Sequence, residues 1–321
     1  MKIKKTLLLL IFYNTLYLFL IFFDIKHFGI WSQITDSISS DSSFLGSFNS
    51  INSHSIRIAL IFPIIYLSNI IDVNYNYIFS LICLFNLNFV IFSIIKVSKD
   101  LNNYNYNKGL FLINSIFIIA LFMNGRLTFS FVGISLLMLA LTGIEKIDKK
   151  TIIYLIMIFI GFIFSSVSSG TQLIYLLIIS IYFFTNITMK FPKIKNIHFL
   201  ITIVGLITFY YLKDIIYASI SVNLIYYNNS VIDMLNHGFG KYFELSQLFL
   251  IFFPLIIIVS RLLYYFKNKI ISSKKNILYL SVIFSCFFGG IFGISAFVFG
   301  LPVFLIIIYD FMSNFNLRFK Y

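Results

Sequence analysis

Apolar residues in this chain neither alternate nor recur only at helical spacing; they come in long runs divided by short polar stretches. A helix crossing a bilayer core needs about 20 predominantly apolar residues, fewer where it ends at a polar cavity. Such runs stand at 6–23, 77–96, 109–123, 127–143, 151–166, 172–188, 197–212, 246–266, 277–292 and 295–312. The segment 57–71 (RIALIFPIIYLSNII) is an eleventh candidate, short and carrying Pro63, Ser68 and Asn69. The first run follows Lys2, Lys4 and Lys5 as a signal peptide would, but Asn14 and the absence of a small-residue cleavage site predict a retained span. Alternating ten-residue segments, the mark of an outer-membrane barrel, are missing. The pattern predicts an all-α, polytopic transmembrane helix bundle of about 10–11 spans, a single integral membrane domain over 1–321.

Composition agrees. Of 321 residues, 60% are hydrophobic and 11% charged, where a soluble domain carries roughly 25% charged residues. A water-soluble enzyme and a disordered chain are both excluded. Cys83 and Cys286 lie inside apolar runs, so no disulfide framework is implied.

The net charge of +13 resembles a nucleic-acid signal until it is mapped onto topology. Lys and Arg accumulate in cytoplasmic loops. From Lys96 onward the basic clusters are separated by two spans each, which places them on one side. The N-terminal cluster joins them only if 57–71 lies in the outer interface or re-enters without crossing. All 24 basic residues are then cytoplasmic except Lys26, Arg57, Arg126, Lys213 and Lys241, and both termini are cytoplasmic. The charge becomes an orientation signal, and no nucleic-acid partner is expected.

The same topology gathers the irregular segments on the outer face: the loops 24–56 and 213–245, the turn Met123-Asn124-Gly125-Arg126, the stretch SSVSSGTQ (165–172) and the glycines of 289–293. Polar backbone unpaired in lipid is costly, so such segments line water-filled space. An outer-face cavity is expected.

Several residues there carry chemistry. Arg126 stands between two apolar runs with no acid nearby in sequence, and its guanidinium suits phosphate oxygens; it also fits a snorkelling arginine that caps a hairpin. Arg57 is an interfacial anchor or a ligand. Asp24, at the end of the first span, is a general base, a cation ligand or a polar flank. The serine turn, with Ser168, Ser169 and Thr171, binds anionic or sugar oxygens or caps the next helix. The segment DMLNHGFGKYFE collects Asp233, His237, Lys241 and Glu244; it is an anion or leaving-group site with His237 usable as acid or base, or a solvated loop before a helix whose Tyr242 sits in the aromatic belt. Trp31, Phe44, Tyr226 and Tyr227 are stacking surfaces for sugars or members of an aromatic belt. Asn124 stands beside Arg126 in its turn. Walker A, dinucleotide, HExxH and GxSxG motifs are absent, the four His and two Cys show no metal-ligand spacing, and no cofactor is expected.

A first span ending in Asp24, a long outer loop, an Arg57-to-Pro63 segment, an Asn124-Gly125-Arg126 turn, an SVSSGT turn (166–171) and a late His237-Gly238-x-Gly240 loop together resemble bacterial O-antigen and capsule polymerases of the Wzy type. The short segment after the first span is similar to the wider GT-C membrane glycosyltransferases. The resemblance implies a bacterial inner-membrane enzyme that polymerises undecaprenyl-pyrophosphate-linked repeat units. Its implied partners are the lipid-linked glycan, membrane lipid and a chain-length regulator protein. Arg126, Arg57 and Lys241 would neutralise the pyrophosphate, His237 or Asp24 would accept the hydroxyl proton, and the serine turn with Asn124 would orient the substrate. A flippase for lipid-linked oligosaccharide should line its cavity with charge through the membrane, whereas ionisable residues here avoid span interiors. A membrane acyltransferase modifying a surface glycan should carry a histidine inside or beside an early span; His27 and His54 lie in the first outer loop.

Overall fold

The computed structural model describes residues 2–29, 55–101, 104–144, 149–190, 274–291 and 300–318, with Tyr217, Ser221 and Ser230. Regular structure among the described residues is entirely helical: α1 Lys2–Phe22, α2 Ser55–Ile71, α3 Tyr75–Asp100, α4 Tyr106–Ala120, α5 Gly125–Gly143, α6 Lys149–Ser165, α7 Ser169–Lys190, α8 Lys274–Ile291 and α9 Leu301–Arg318. Each falls on a predicted run, α9 displaced toward the C-terminus. The runs 197–212 and 246–266 and the loop 213–245 lie outside the described residues. Three described helices are long and apolar enough to cross a membrane: Lys5–Phe22, Tyr75–Asp100 and Gly125–Gly143. The protein is therefore a helical membrane protein.

Asparagine starts three of these helices. Asn74, Asn105 and Asn124 precede α3, α4 and α5, and each side-chain oxygen accepts a backbone N–H of the first turn, from Asn76, Lys108 and Leu127. Such a cap satisfies a donor that the helix cannot.

The chain forms two compact units, Met1–Ser168 and Ser169–Tyr321. In the first, contacts along the helices fix their directions. Asn14 and Asn88 exchange amide hydrogen bonds of 2.9 and 2.7 Å, and the chain just past α1 meets Ser80, so α3 runs antiparallel to α1. Tyr13 donates to Asn114 at 2.7 Å and Tyr17 to the Phe117 carbonyl at 2.6 Å, so α4 runs parallel to α1. Gly125 lies against Phe79 and Cys83, and Thr128 meets Asn86 further along, so α5 runs with α3. Phe129 stacks on Phe164 and Gly143 lies against Tyr154, so α6 returns antiparallel to α5. Asp24–Phe28, Tyr75–Ser80, Met123–Arg126 and Ser165–Ser168 thereby share one end. Lys96, Lys99 and Lys108 stand toward the other.

Helix α5 is the centre of this unit: 83% of its apolar window is buried within the protein, against 11% for α1 at the rim. Two glycines permit its close approaches. A Cβ at Gly125 would run into the Phe79 ring, and one at Gly133 would stand 2.7 Å from the Gly161 carbonyl and 2.8 Å from the Ser165 nitrogen. Backbone lies opposite Gly133, and backbone cannot rotate away. Small residues at helix crossings serve this purpose in membranes. Gly133→Ala is expected to cost about 1–3 kcal/mol through overpacking. Gly29→Ala, which meets nothing within 4 Å, is the neutral control. Thermal unfolding of both variants in detergent checks this.

In the second unit α7 packs along α8, with Ile174, Tyr175 and Ile178 buried on one and Ile277, Leu278 and Val282 on the other. Helix α9 meets α8 through Asp310, which accepts from Lys275 Nζ at 2.9 Å and from the Tyr279 hydroxyl at 2.8 Å. Asp310 departs from the expectation that ionisable residues avoid span interiors: it is buried in the middle of α9. It stands two residues before the end of the predicted run 295–312, where a sequence shows only a polar flank. Cys83 and Cys286 are free and buried.

Candidate functional site

The polar end of the first unit begins where α1 stops. The amides of Ile25 and Lys26 both donate to the Leu20 carbonyl, at 2.9 and 3.1 Å, and Asp24 takes the left-handed conformation with φ 61°. This reversal brings His27, three residues on, back against Asp24, and His27 Nε2 pairs with Asp24 Oδ1. The next residue anchors the segment. Phe28 is fully buried, its ring stacks on Tyr17, and its N–H donates to Ser80 Oγ on α3 at 3.0 Å. Ser80 Oγ also lies 3.4 Å from His27 Nδ1, and the Tyr77 ring meets the imidazole edge to face. Lys26 reaches the other way and donates to the Met123 carbonyl at 3.4 Å.

That contact leads to the Asn-Gly-Arg turn. Asn124 is exposed, and its side-chain oxygen is engaged in capping α5. Arg126, the second residue of α5, is half-buried. Its Nε is sealed from solvent and has no hydrogen-bond partner among the described residues. No described carboxylate pairs with it. Guanidinium and helix start both favour an anion, since the first N–H groups of a helix and its dipole present positive charge there.

A third feature lies between α2 and α3. Ser68, Asn69, Asp72, Val73, Asn74, Tyr75 and Asn76 line an open cleft of about 380 Å³. Asp72 adopts φ 55°, and Val73 N–H donates back to the Ser68 carbonyl at 3.1 Å, so a tight turn folds the polar side chains toward one another. Amide and carboxylate groups pair well with neighbouring hydroxyls, and a tyrosine ring supplies a flat apolar face.

Of the sequence-predicted residues, Asp24, Asn124 and Arg126 share this end of the first unit, and Ser168 closes the unit there. Ser168 is buried in the fold. Ser169 and Thr171 open α7 in the second unit, and Thr171 is fully buried. Arg57 stands in the first turn of α2, its side chain outside the described residues. His237 and Lys241, with Asp233, Glu244, His54, Trp31, Phe44, Tyr226 and Tyr227, lie outside the described residues. Sequence reasoning overlooked His27 as Asp24's partner, Ser80, and the Asn/Asp cleft. The i, i+3 spacing of Asp24 and His27 past a span end was the available signal for the first; nothing local marked Ser80, 53 residues from His27. Among the described residues no three His, Cys, Asp or Glu side chains gather as a metal site. Comparison with family models, with curated proteins and with solved structures finds no match for this chain.

Proposed function

We propose that the protein polymerises lipid-linked glycan repeat units at the outer face of the bacterial inner membrane, as an O-antigen or capsule polymerase. One observation carries it: an arginine at a helix start, its Nε sealed from solvent and without a partner among the described residues, shares an end with a carboxylate–imidazole pair, while Lys96, Lys99 and Lys108 stand toward the opposite end. An undecaprenyl-pyrophosphate donor is already activated and already membrane-bound, so no nucleotide is required. Arg126, at the start of α5, meets the charge that develops on the departing pyrophosphate. The Asn/Asp cleft, at the same end through Tyr75 and Asn76, receives sugar hydroxyls. Arg57, Lys241, His237 and the serine turn are the further contacts that the family resemblance implies, and a chain-length regulator protein is the implied partner.

The orientation follows from charge. The lysine-bearing end faces the cytoplasm by the positive-inside rule, together with both termini, and the Arg126 end faces out. The chain leaves this outer end after α1 and is back at it at the start of α3. Residues 31–54 are too polar to cross lipid, so α2 makes no net crossing. Ile58, Ile61, Ile64 and Ser68 form its buried stripe, whereas Tyr66, Leu67, Ile70 and Ile71 are exposed. A helix apolar on both faces sits among acyl chains, so α2 re-enters from the outer side.

Complementation tests the function. In a strain lacking the gene, single repeat units on the lipid carrier are expected, with long polymer restored by the wild-type chain. Loss of all surface sugar points instead to a flippase. Full-length glycan lacking an acyl group points to an acyltransferase, a second reading favoured by one observation: His27 stands directly after the first span, held in place. Asn124→Cys and Asp72→Cys are expected to label from outside in intact cells and Lys99→Cys only after lysis, over a silent background of two buried cysteines. Labelling of Asn124→Cys and Lys99→Cys from the same side refutes the topology.

A further inference from the structure

We infer that His27 is the group that takes the proton from the attacking sugar hydroxyl, with Asp24 as its positioning partner. This rests on the proposed function and assigns the base within it.

A histidine in a loop just past a span has no structural need to be held, yet this one is held from two directions. Its own segment is folded back by the left-handed Asp24 and pinned by buried Phe28. Helix α3 supplies Ser80 behind the ring and Tyr77 at its side. The imidazole is largely covered, its side chain 19% exposed, while the Asp24 side chain is 74% exposed. With Nε2–H donated to Asp24, Nδ1 carries the free lone pair. Ser80 accepts the Phe28 N–H at 3.0 Å, which leaves its hydroxyl proton for Nδ1, at a loose 3.4 Å. Ser80 is itself buried, so an incoming sugar hydroxyl must enter along the exposed part of the ring and take the place of this long contact. This is the division of labour in which a carboxylate holds a ring and balances its charge while the second nitrogen moves the proton.

The step balances. Nδ1 takes the hydroxyl proton, and the oxygen's electron pair forms the new bond to the anomeric carbon of the growing chain. The bond from that carbon to the pyrophosphate oxygen breaks, and its electrons leave with the pyrophosphate. Asp24 offsets the imidazolium so formed. Among the described residues, the titratable and charged groups next to the ring are Asp24 and Lys26 on its own segment and Tyr77 on α3. Lys26 turns away to the Met123 carbonyl, in the turn that presents Arg126. Base and pyrophosphate site are thus joined through one lysine.

The test uses the full chain in membrane vesicles from a strain that accumulates single lipid-linked repeat units, with polymer formation followed against pH. Wild-type rate is expected to fall toward acid, as for any step that needs a free general base. His27→Ala is expected to lose about 100-fold, to lose that acid limb, and to recover in part when free imidazole is added. His27→Gln, which fills the same space, is expected to lose as much with unchanged thermal stability and no imidazole rescue, and Asp24→Asn to lose less than either. Wild-type rates in both His27 variants overturn the inference, as does a His27→Ala defect that imidazole leaves untouched. If the wild-type chain itself forms no polymer, the proposed function fails and takes the inference with it; if only the His27 prediction fails, the function stands.

Discussion

Arg126→Ala, compared at equal insertion, is expected to lower polymer formation by about 10²–10³-fold, the loss that follows removal of one preorganised charge stabiliser. The expectation comes from the state of this side chain. Its Nε is sealed from solvent without a hydrogen-bond partner among the described residues. A cation in that condition is costly to the fold, since arginine in a membrane span is unfavourable by about 2.5–3.5 kcal/mol at the bilayer centre on insertion scales and by less near its edge. A ligand of opposite charge removes the penalty. Arg126→Ala is therefore expected to be neutral or slightly stabilising to the empty protein while abolishing most activity, a combination that a structural arginine does not produce. Arg126→Lys retains the charge but not the planar two-point contact, and should recover only part of the rate. Polymer length on gels and thermal unfolding of the same preparations read both effects. Wild-type polymer in Arg126→Ala would remove the guanidinium from the mechanism.

Asp310→Ala is expected to act on stability instead, by about 3–5 kcal/mol, because breaking a buried ion pair strands the other charge. Lys275 Nζ loses its partner at 2.9 Å and the Tyr279 hydroxyl loses its acceptor at 2.8 Å. Lys275 remains 23% exposed, which places the effect toward the lower end of that range. Replacing both partners by apolar residues of similar size, Lys275→Met with Asp310→Leu, should restore most of the loss, since neither charge then remains to be desolvated. Thermal unfolding of the single and double variants in detergent decides it. A single variant as stable as wild type would show that the pair holds nothing together.

The two kinds of residue were unequally visible beforehand. Arg126 was legible because an isolated cation between two apolar runs is conspicuous in one dimension. Asp310 was not, because a carboxylate near the end of a run looks like any polar flank until Lys275 on another helix is found beside it. The same contrast separates Asp24 from Ser80. The first sits at a span boundary and stands out; the second is an ordinary serine inside a predicted span, and only the folding of the chain after α1 onto α3 gives its hydroxyl a role. The serine turn could be read either way from the sequence, as a cradle for oxygens or as a cap for the next helix. Only the structure shows that Ser168 and Thr171 are buried. Whether a small polar residue faces water or its neighbours depends on which helix lies next to it.

The amino-acid sequence by itself determined the solvent, the secondary structure and the order of the helices described, because hydrophobic runs of membrane length are a local signal. Basic residues placed on one side of those runs were likewise enough to argue an orientation. The tertiary structure decided which ends come together: that the chain returns between α1 and α3 to the end it left, that α5 is the central helix, and that His27, Asp24 and Ser80 meet. Those facts depend on contacts between positions tens of residues apart, and a one-dimensional pattern of apolar runs places no constraint on which run packs against which.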